Sequence, residues 1–583
     1  MEPDSSSDQR PVIQASEILA KIKQGEDIEY DGVIVEGELD ISALDLPTDH
    51  EDRSNTEKSL GLSEEVKLVS SPVTIANSKI LGNVKFDNVH FHEPVDFDGT
   101  EFDRTVNFLG SKFDAHIIFE GAEFGGKVNF WGAEILEDAE FPRVEFDRTA
   151  NFGSAKFAGE ANFDGAEFNS NVNFLNITFD GPAYFSDANF GGYADFRNTR
   201  FSSYVTFEVA EFGGYANFQR VRLSANFRGA KFRGIADFSE TEFGWADFNN
   251  ADFGDYAIFE VAEFGEYANF QRVKFSSVNF RVAKFTCKDV DFSETEFGWA
   301  DLDRAEFDGI ANFGRAKFGG RANFEGVKFA GEANFEGAKF DEKLKLDNFK
   351  FEILYITWES IKDRLSYSGP VYLALIKNFK VIERFNDADD CYYAYRKESQ
   401  TQKKWYSEKS RLIDFLIRGY NWISTTIKRI SKYFSWINKY PPFTWIHRFN
   451  WSKLLDWIGF VSCGYGVRIQ PIILWVLGSV LGFTLLYKLL PQSFGGIAES
   501  GPSTVTMEAV NNSTLLFTFG SGDGAVSPSW GECLYFSFTA LTGGTPDGLH
   551  PVGLCKYAVM IEGVLGYLFL ALFVVVLARK IIR

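Results

Sequence analysis

Phenylalanine recurs along a large part of the chain with alternating steps of five and six residues. The series begins at Phe102 and continues to Phe340, with a slip after Leu223. A helix cannot use this pattern, because a five-residue step carries each apolar position about 140° past one turn and scatters phenylalanine around the axis. The pattern predicts a square coil, in which each unit forms one side and its phenylalanine points inward.

The unit ANFDGAEF at 161–168 shows which other positions face the core. The small residue two positions before each Phe points inward with it, and the polar residues between them point outward. Glycine accommodates the corners and the extra residue of the six-residue steps. The pattern predicts a coil of about 22 residues, about eleven coils between Phe102 and Phe340, and a rod of roughly 50 Å at the usual spacing of β-strands.

This pattern resembles the pentapeptide-repeat family, in which each unit has a central Phe or Leu preceded by Ala. The resemblance implies a right-handed quadrilateral parallel β-helix, here over residues 32–351 with a polar insertion near 47–65. Residues 1–31 are expected to form a tail and an amphipathic helix, SEILAKIKQG at 16–25, that caps the open end. The chain departs from the family in its preference for Phe over Leu and in its alternating steps.

The predicted rod has two functional interpretations, which are partner binding or sensing and a rigid spacer. Outward-facing acids such as Asp103 and Glu167 are typical of a soluble surface. Some pentapeptide-repeat proteins resemble DNA in shape and charge and inhibit topoisomerases, so DNA mimicry is a minor alternative. Basic residues on the same rod, such as Lys112 and Arg148, weaken that analogy.

Charge and cysteine spacing narrow the function classes. The formal net charge of -22 argues against nucleic-acid binding, which needs clustered Lys and Arg. The five cysteines lack CxxC or Cys/His spacing, so neither a zinc site nor a disulfide framework is indicated, and whether Cys533 and Cys555 pair stays open. No motif for a nucleophile, phosphate loop or metal set occurs. We therefore expect no enzyme activity, no catalytic or metal-binding residues, and no cofactor.

Beyond Phe351 the sequence predicts a helical connector over 352–404, since residues 372–405 contain no Gly or Pro. The following segment, 405–470, combines Trp with basic residues. Amphipathic rings beside basic side chains are typical of a helix at the lipid headgroup level, and a packed aromatic core is the alternative. The predicted membrane-interface anchors are Trp422, Trp436, Trp445, Trp451, Trp457, Lys428, Arg429 and Lys432.

Two apolar stretches in the last predicted domain, 471–583, are long enough to cross a bilayer; they are residues 472–490 and 557–578. Basic residues follow the second stretch, whereas residues 491–555 contain five acids and no Lys or Arg. This asymmetry predicts a multi-pass protein of the plasma membrane, in contact with lipid, with the intervening loop outside. Both termini and the rod are then cytoplasmic.

The segment WGECLYFSFTALTGGTPDGLHPVG at 530–553 resembles the pore helix and filter of two-span potassium-channel-type proteins. Its L-Y-F-S, its L-T and Pro551 keep the order and spacing of that family. The resemblance implies a pore helix and filter-like loop at 530–551 and a homotetramer, because one pore loop per subunit cannot enclose a pathway. Potassium selectivity is not implied, because T-V-G-Y-G-D is replaced. The filter-like residues are Thr542, Gly543, Gly544, Thr545, Pro546, Asp547 and Gly548.

Three residues of the second apolar stretch are inner-helix candidates. Glu562 is one because an ionisable side chain inside a bilayer is costly and usually functional. Gly563 and Gly566 are the other two. The resemblance to pore-loop proteins implies that Gly566 permits the inner helix to bend at a gate, and close packing against another helix is the equally weighted alternative. A separate GYG at 464–466 precedes the first stretch and cannot form a filter between the two stretches.

The resemblance to pore-loop proteins implies an ion channel or channel-like pore, which we expect to conduct cations and to carry a cytoplasmic solenoid that regulates it or binds a cytoplasmic protein. The alternative is a non-conducting membrane-anchored scaffold whose β-helix binds that protein. Asp547 is the only charged residue between Glu532 and Lys556. Several copies would form an acidic ring at the outer mouth, and a surface turn in T-P-D-G is the alternative.

Overall fold

The protein is described by a computed structural model covering residues 9–53, 58, 62–403, 450–490, 494–496, 509–510, 514–515, 525–526, 528–544, 549–551 and 553–581. The chain divides into two compact units, Met1–Ala374 and Leu375–Arg583. The first is a β-solenoid, and the second is mainly helical.

The strands of the first unit stack in parallel from one coil to the next. Phe102 pairs with Phe124, and Phe146 pairs with Phe168, which places each residue beside the one 22 positions later. The strands form two large sheets, and the solenoid has about 15 turns. The solenoid and its 22-residue coil, predicted from the alternating steps, are therefore confirmed.

Most strands are short because each side of the coil turns after two residues, as in Glu101–Phe102 and Val106–Asn107. The solenoid begins before the predicted boundary at residue 32, since Val12–Gln14 pairs with Ile34–Glu36. The strands of five or more residues are Glu65–Val69, Arg200–Thr206, Arg222–Asn226, Glu242–Asp247, Asp252–Ile258, Glu263–Asn269, Lys274–Asn279, Glu296–Asp301, Lys328–Asn334 and Lys350–Tyr355.

The slip after Leu223 shortens one corner without breaking the stack. Arg200 pairs with Arg222, 22 residues on, but Val205 pairs with Ala225, 20 residues on. The two missing residues are thus absorbed between these pairs, at a corner. Leu223 and Ala225 both stay buried, so the core position is kept and only the corner changes.

Phenylalanine forms continuous stacks along the core. The ring of Phe163 lies 4.8 Å from that of Phe141 and 5.0 Å from that of Phe185, with planes within 3° of parallel. Phe163 and Ala161 are fully buried, as the pattern predicts. Asn162 between them is half-buried and donates to Glu140. Inward apolar and outward polar positions therefore alternate along each side.

One corner position needs a left-handed backbone in coil after coil. Gly165 occupies it with φ of 67°, and Val209, at the same position two coils later, has φ of 61°. Glycine adopts this conformation freely, whereas a β-branched residue is strained there. The repeat therefore tolerates a residue that its backbone disfavours.

Helices cover both ends of the solenoid. Helix α1, Ala15–Gln24, buries Ala15, Ile18 and Ile22 and ends at Gly25 with φ of 69°. Helix α2, Trp358–Ile361, buries Trp358 and Ile361 after the last strand. Covering the first and last coils protects their strand edges from pairing with other chains.

The predicted polar insertion contributes a strand that runs against the solenoid. Thr48–His50 pairs antiparallel with Glu65–Val69. Beyond this strand, Glu51 lies 2.9 Å from the amine of Lys112. The insertion thus packs on one outer face of the early coils.

The second unit contains most of the remaining helices. The predicted connector helix is wrong as a single element, since Glu383 has φ of 60° and separates two helices despite the lack of Gly or Pro. The helices are α3, Gly369–Val381, which begins in the first unit; α4, Phe385–Gln402; α5, Trp451–Cys463; α6, Gln470–Leu489; α7, Trp530–Leu541; and α8, Cys555–Ile581.

Short elements connect these helices. Gly464–Gly466 forms a 3-10 turn between α5 and α6. Phe494–Gly496, Ala525–Val526 and Leu549–Pro551 form a small antiparallel sheet between α6 and α8, and Ala509–Val510 pairs with Thr514–Leu515.

Candidate functional site: two apolar helices and the short helix between them

Helices α6 and α8 are long and apolar enough to cross a membrane, by length and composition. They have 20 and 27 residues, and most of these residues are apolar. Pro471 opens α6, where its missing N–H is not needed by the helix. Many large apolar side chains on both helices are exposed, including Leu474, Leu481 and Val564. Such a surface is typical of contact with lipid or with another subunit.

Helix α7 lies against both apolar helices. A capping box starts it: Ser529 Oγ accepts from the Glu532 N–H at 3.2 Å, and the Glu532 carboxylate accepts from the Ser529 N–H at 2.7 Å. It ends at Thr542 and Gly543, where the φ of 82° at Gly543 turns the chain away. With 12 residues the helix is about 18 Å long, too short to cross a bilayer of about 30 Å.

Glu562 joins the three helices. It is fully buried in α8 and accepts hydrogen bonds from the Tyr487 hydroxyl of α6 at 2.5 Å and from the Ser537 hydroxyl of α7. Ser537 also lies 3.1 Å from the Val480 carbonyl oxygen. Each oxygen of the carboxylate therefore has a hydroxyl partner, which offsets the cost of burying it. The sequence indicated Glu562 but not its partners, although Tyr487 and Ser537 are polar residues in apolar surroundings.

Gly566 is where α8 and the end of α7 approach most closely. A Cβ added there would lie 1.8 Å from the Leu541 carbonyl oxygen. At Gly563 the nearest atom would be the Ala540 carbonyl oxygen at 3.7 Å, an ordinary contact. Gly566 therefore lies at a close contact of α8 with α7, and bending of α8 at a gate stays a prediction.

Three of the filter-like residues lie at the C-terminal end of α7. Thr542 Oγ1 donates within the helix, with the Thr539 carbonyl oxygen 2.9 Å away, and Thr542, Gly543 and Gly544 are exposed. The other four, Thr545, Pro546, Asp547 and Gly548, lie outside the described residues. The filter-like loop therefore stays a prediction.

Cys533 and Cys555 share one buried cluster with Tyr487 and Phe536. Both are free thiols in the structure. The packing of α7 on α8 brings the two cysteines into the same cluster. Their spacing in the sequence did not indicate this.

Helix α4 contacts the ends of the apolar helices through charges and rings. Arg579, near the end of α8, lies 3.7 Å from Asp389 and 4.7 Å above the Tyr392 ring. Arg468, just before α6, lies 3.7 Å above the Tyr393 ring. The start of α6 and the end of α8 therefore meet the same helix, which makes α6 and α8 antiparallel neighbours.

The turn that holds GYG belongs to this same region. Tyr465 is buried with φ of 60°, and its hydroxyl lies 3.0 Å from Gln400 Oε1. The motif thus packs against α4 and lies outside the two apolar helices.

An ion-pair cluster links α4 to α5. Asp456 of α5 accepts from Arg396 and from Lys403. Burial alone would raise the pKa of Asp456, but the hydrogen bonds and charges of Lys403 and Arg396 outweigh it and lower the pKa below its ordinary value. Asp456 therefore stays ionised at neutral pH.

Two of the predicted interface anchors lie in α5, where Trp451 is the first residue and Trp457 is exposed. The other six anchors lie outside the described residues; they are Trp422, Trp436, Trp445, Lys428, Arg429 and Lys432. Trp475 of α6 donates its indole N–H to the Val461 carbonyl oxygen at 2.8 Å. An amphipathic surface at this end of the unit stays a prediction.

Comparison with protein families identifies the solenoid. The family model described as pentapeptide repeats matches nine copies in residues 86–134, 141–189, 221–263 and 302–347. No curated protein and no solved structure matches the chain. The chain therefore contains pentapeptide repeats that form a β-solenoid, and two helices long and apolar enough to cross a membrane follow them.

Proposed function

We propose that the chain is an ion channel or channel-like pore that conducts cations, with the solenoid as a cytoplasmic domain that regulates it or binds a partner protein. The observation that carries this proposal is the position of α7. It is too short to cross a bilayer, yet it packs between two helices that are long enough. A helix that enters part of the way and returns as a loop is how pore-loop proteins line a filter.

The electrostatics of α7 favour cations. The C-terminal end of a helix carries partial negative charge on its unpaired carbonyl groups. Thr542–Gly544 form that end, and Asp547 follows three residues later. The proposed path therefore combines carbonyl dipoles with an acidic ring, which attract cations but do not reproduce the ordered carbonyl sites of a potassium filter.

The proposal requires several copies of the chain. One α7 encloses no pathway by itself, so we propose a homotetramer by analogy with pore-loop proteins. The exposed apolar side chains of α6 and α8 are available for contact with neighbouring copies and with lipid. An open apolar groove of about 380 Å³, lined by Ile472, Val476, Leu541 and Phe569 among others, lies beside Gly566.

The orientation follows from charge. Arg579 and Lys580 end α8 at the same end of the unit as α4, and residues 491–555 carry five acids without Lys or Arg. We propose that this basic end, and with it both termini, faces the cytoplasm of a plasma membrane. Labelling of 491–555 from outside sealed cells, with tags at both termini protected, tests the orientation; outside access to either terminus contradicts it.

Bilayer recordings of the purified full-length chain test the function. We expect reversal potentials in sodium, potassium and chloride gradients to show cation preference without sharp potassium selection. Asp547→Asn should reduce the preference for cations over chloride, and Asp523→Asn, in the same loop, is the matched control. A chloride-selective or strictly potassium-selective current contradicts the proposal, and an unchanged preference in Asp547→Asn excludes that residue from it.

A non-conducting scaffold is the second candidate function, and the departure from T-V-G-Y-G-D favours it. The outer face of the solenoid offers surface for a partner, with Trp245 and Tyr267 stacked 5.9 Å apart on adjacent coils. A correctly folded oligomer that conducts no ion, and a partner protein whose binding is lost in Trp245→Ala, would favour the scaffold.

A further inference from the structure

Three polar side chains of the solenoid meet on its outer face beside the insertion. His90 lies in the strand Val89–Phe91, and His92 follows that strand. Because side chains alternate along a strand, His90 and His92 share the outward face while Phe91 stacks in the core. Phe91 pairs with Phe113 of the next coil, so Asp114 comes to lie directly beside His92.

The three groups are close enough to share one ion. One Oδ of Asp114 lies 2.7 Å from Nδ1 of His92 and 2.9 Å from Nε2 of His90. One ligand atom from each residue lies within 4.8 Å of the other two. Donors about 2.0–2.2 Å from a tetrahedral zinc ion lie about 3.4 Å from one another, so each of the two histidine nitrogens would move away from the Asp114 oxygen by roughly 0.5–0.7 Å to admit the ion.

His90 is buried, and its two ring nitrogens make no well-directed hydrogen bond with the described residues. His90 is 4% exposed. The approach of its Nε2 to Asp114 meets only the distance of an ion pair. A buried polar atom without a well-directed hydrogen bond is destabilising, and a metal ion at Nε2 would use its lone pair.

The insertion supplies the outer surroundings of this group. Asp49 lies 3.9 Å from Nδ1 of His90, on the strand that runs against the solenoid. A histidine that binds metal through one nitrogen commonly donates its other N–H to a carboxylate. Asp49 is placed for that role after a small movement, and the Glu51–Lys112 ion pair anchors the same segment.

We propose that His90, His92 and Asp114 bind one divalent transition-metal ion of the zinc type, with water in the fourth position. Two imidazoles and one carboxylate are a ligand set that zinc accepts. The sequence predicts no metal site by the usual ligand spacings, because these ligands follow a different pattern. It consists of H-x-H on one strand face and an Asp one coil of 22 residues after the second His.

Zinc binding to the full-length chain tests this proposal, with detergent-purified protein that carries no polyhistidine tag. We expect one Zn²⁺ per chain by isothermal titration calorimetry, and a tetrahedral absorption spectrum when Co²⁺ replaces Zn²⁺. His92→Gln and Asp114→Asn should each weaken Zn²⁺ binding by about a hundredfold or more, since even outer partners of a metal site contribute 10–100-fold. His116→Gln changes an exposed histidine two residues after Asp114 and should leave binding unchanged.

Thermal melting gives a second measurement that does not depend on the binding isotherm. Zn²⁺ should raise the melting temperature of the wild-type solenoid and of His116→Gln but not of Asp114→Asn. A wild-type chain that binds no Zn²⁺ would show that the three residues form only an ion-paired group. Binding that is equally strong in His92→Gln, Asp114→Asn and the wild type would place the metal elsewhere and overturn the assignment.

Discussion

The solenoid and the helical unit obtain their stability in different ways. In the solenoid every coil repeats the same packing. Phe163 stacks between Phe141 and Phe185, and other core phenylalanines stack in the same way between the equivalent rings of adjacent coils. In the helical unit the decisive contacts occur once, as at Glu562 and Gly566. A repeated contact leaves a period in the sequence, and a unique contact leaves none.

The first prediction concerns the repeated contact. Phe163→Ala should lower the free energy of unfolding of the solenoid by roughly 3–5 kcal/mol, because it removes a ring from a continuous stack and leaves a cavity. Asn162→Ala is the matched control and should cost less than about 1 kcal/mol, since it loses one partly exposed hydrogen bond. Denaturant unfolding of the full-length chain, followed by the circular dichroism of the solenoid, measures both. Equal effects would contradict the inward position of Phe163.

The second prediction concerns the close contact between α8 and α7 at Gly566, which occurs once in the helical unit. Gly566→Ala should destabilise the packing of α7 on α8 by about 1–3 kcal/mol, because its Cβ would meet the Leu541 carbonyl oxygen. Gly478→Ala in α6 meets nothing within 4 Å and should be neutral or stabilise by up to about 1 kcal/mol. The rate at which a maleimide modifies the buried Cys533 and Cys555 measures local opening. Faster labelling in Gly478→Ala than in Gly566→Ala would contradict the packing.

Exchanging glycine and valine at equivalent corners of the solenoid tests how much the left-handed backbone there affects stability. Val209→Gly should stabilise the solenoid by about 1 kcal/mol, since the backbone there has φ of 61° and the valine is exposed. Gly165→Val, the reverse change at the equivalent corner, should destabilise it by a similar amount. Melting temperatures of the two variants measure the difference. A loss of stability in Val209→Gly would show that the side chain matters more than the backbone strain.

The smallest expected effect is a pH dependence in the helical unit. The pKa of Asp456 is lowered in the folded state, so its contribution is present above the unfolded value of about 3.9 and is lost as pH falls through the folded pKa. We expect less than about 1 kcal/mol, because the side chains of Arg396 and Lys403 are 35% exposed and screened by solvent.

Asp456→Asn should remove this part of the acid sensitivity. Melting temperatures between about pH 7 and pH 3 measure it, and the more exposed Asp390→Asn is the control. An unchanged pH profile in Asp456→Asn would show that the ion pairs to α4 do not stabilise the unit.

The sequence by itself determined the solenoid, its 22-residue coil and the two apolar helices, because each depends on a local rule. Inward and outward positions alternate along a strand, and a helix must hold about twenty apolar residues to cross a bilayer. The slip after Leu223 was also visible, although only the pairing of Val205 with Ala225 shows that a corner absorbs it. The break at Glu383 was not visible, because neither Gly nor Pro marks it.

Only the tertiary structure decided which distant side chains meet. Tyr487, Ser537 and Glu562 are separated by 25 residues or more, and no period relates them. His92 and Asp114 are one coil apart, so their approach follows from the solenoid, but Asp49 comes near His90 through the antiparallel strand of the insertion, which no period places. Local patterns set the direction of each side chain, whereas the packing of one element on another sets its partner.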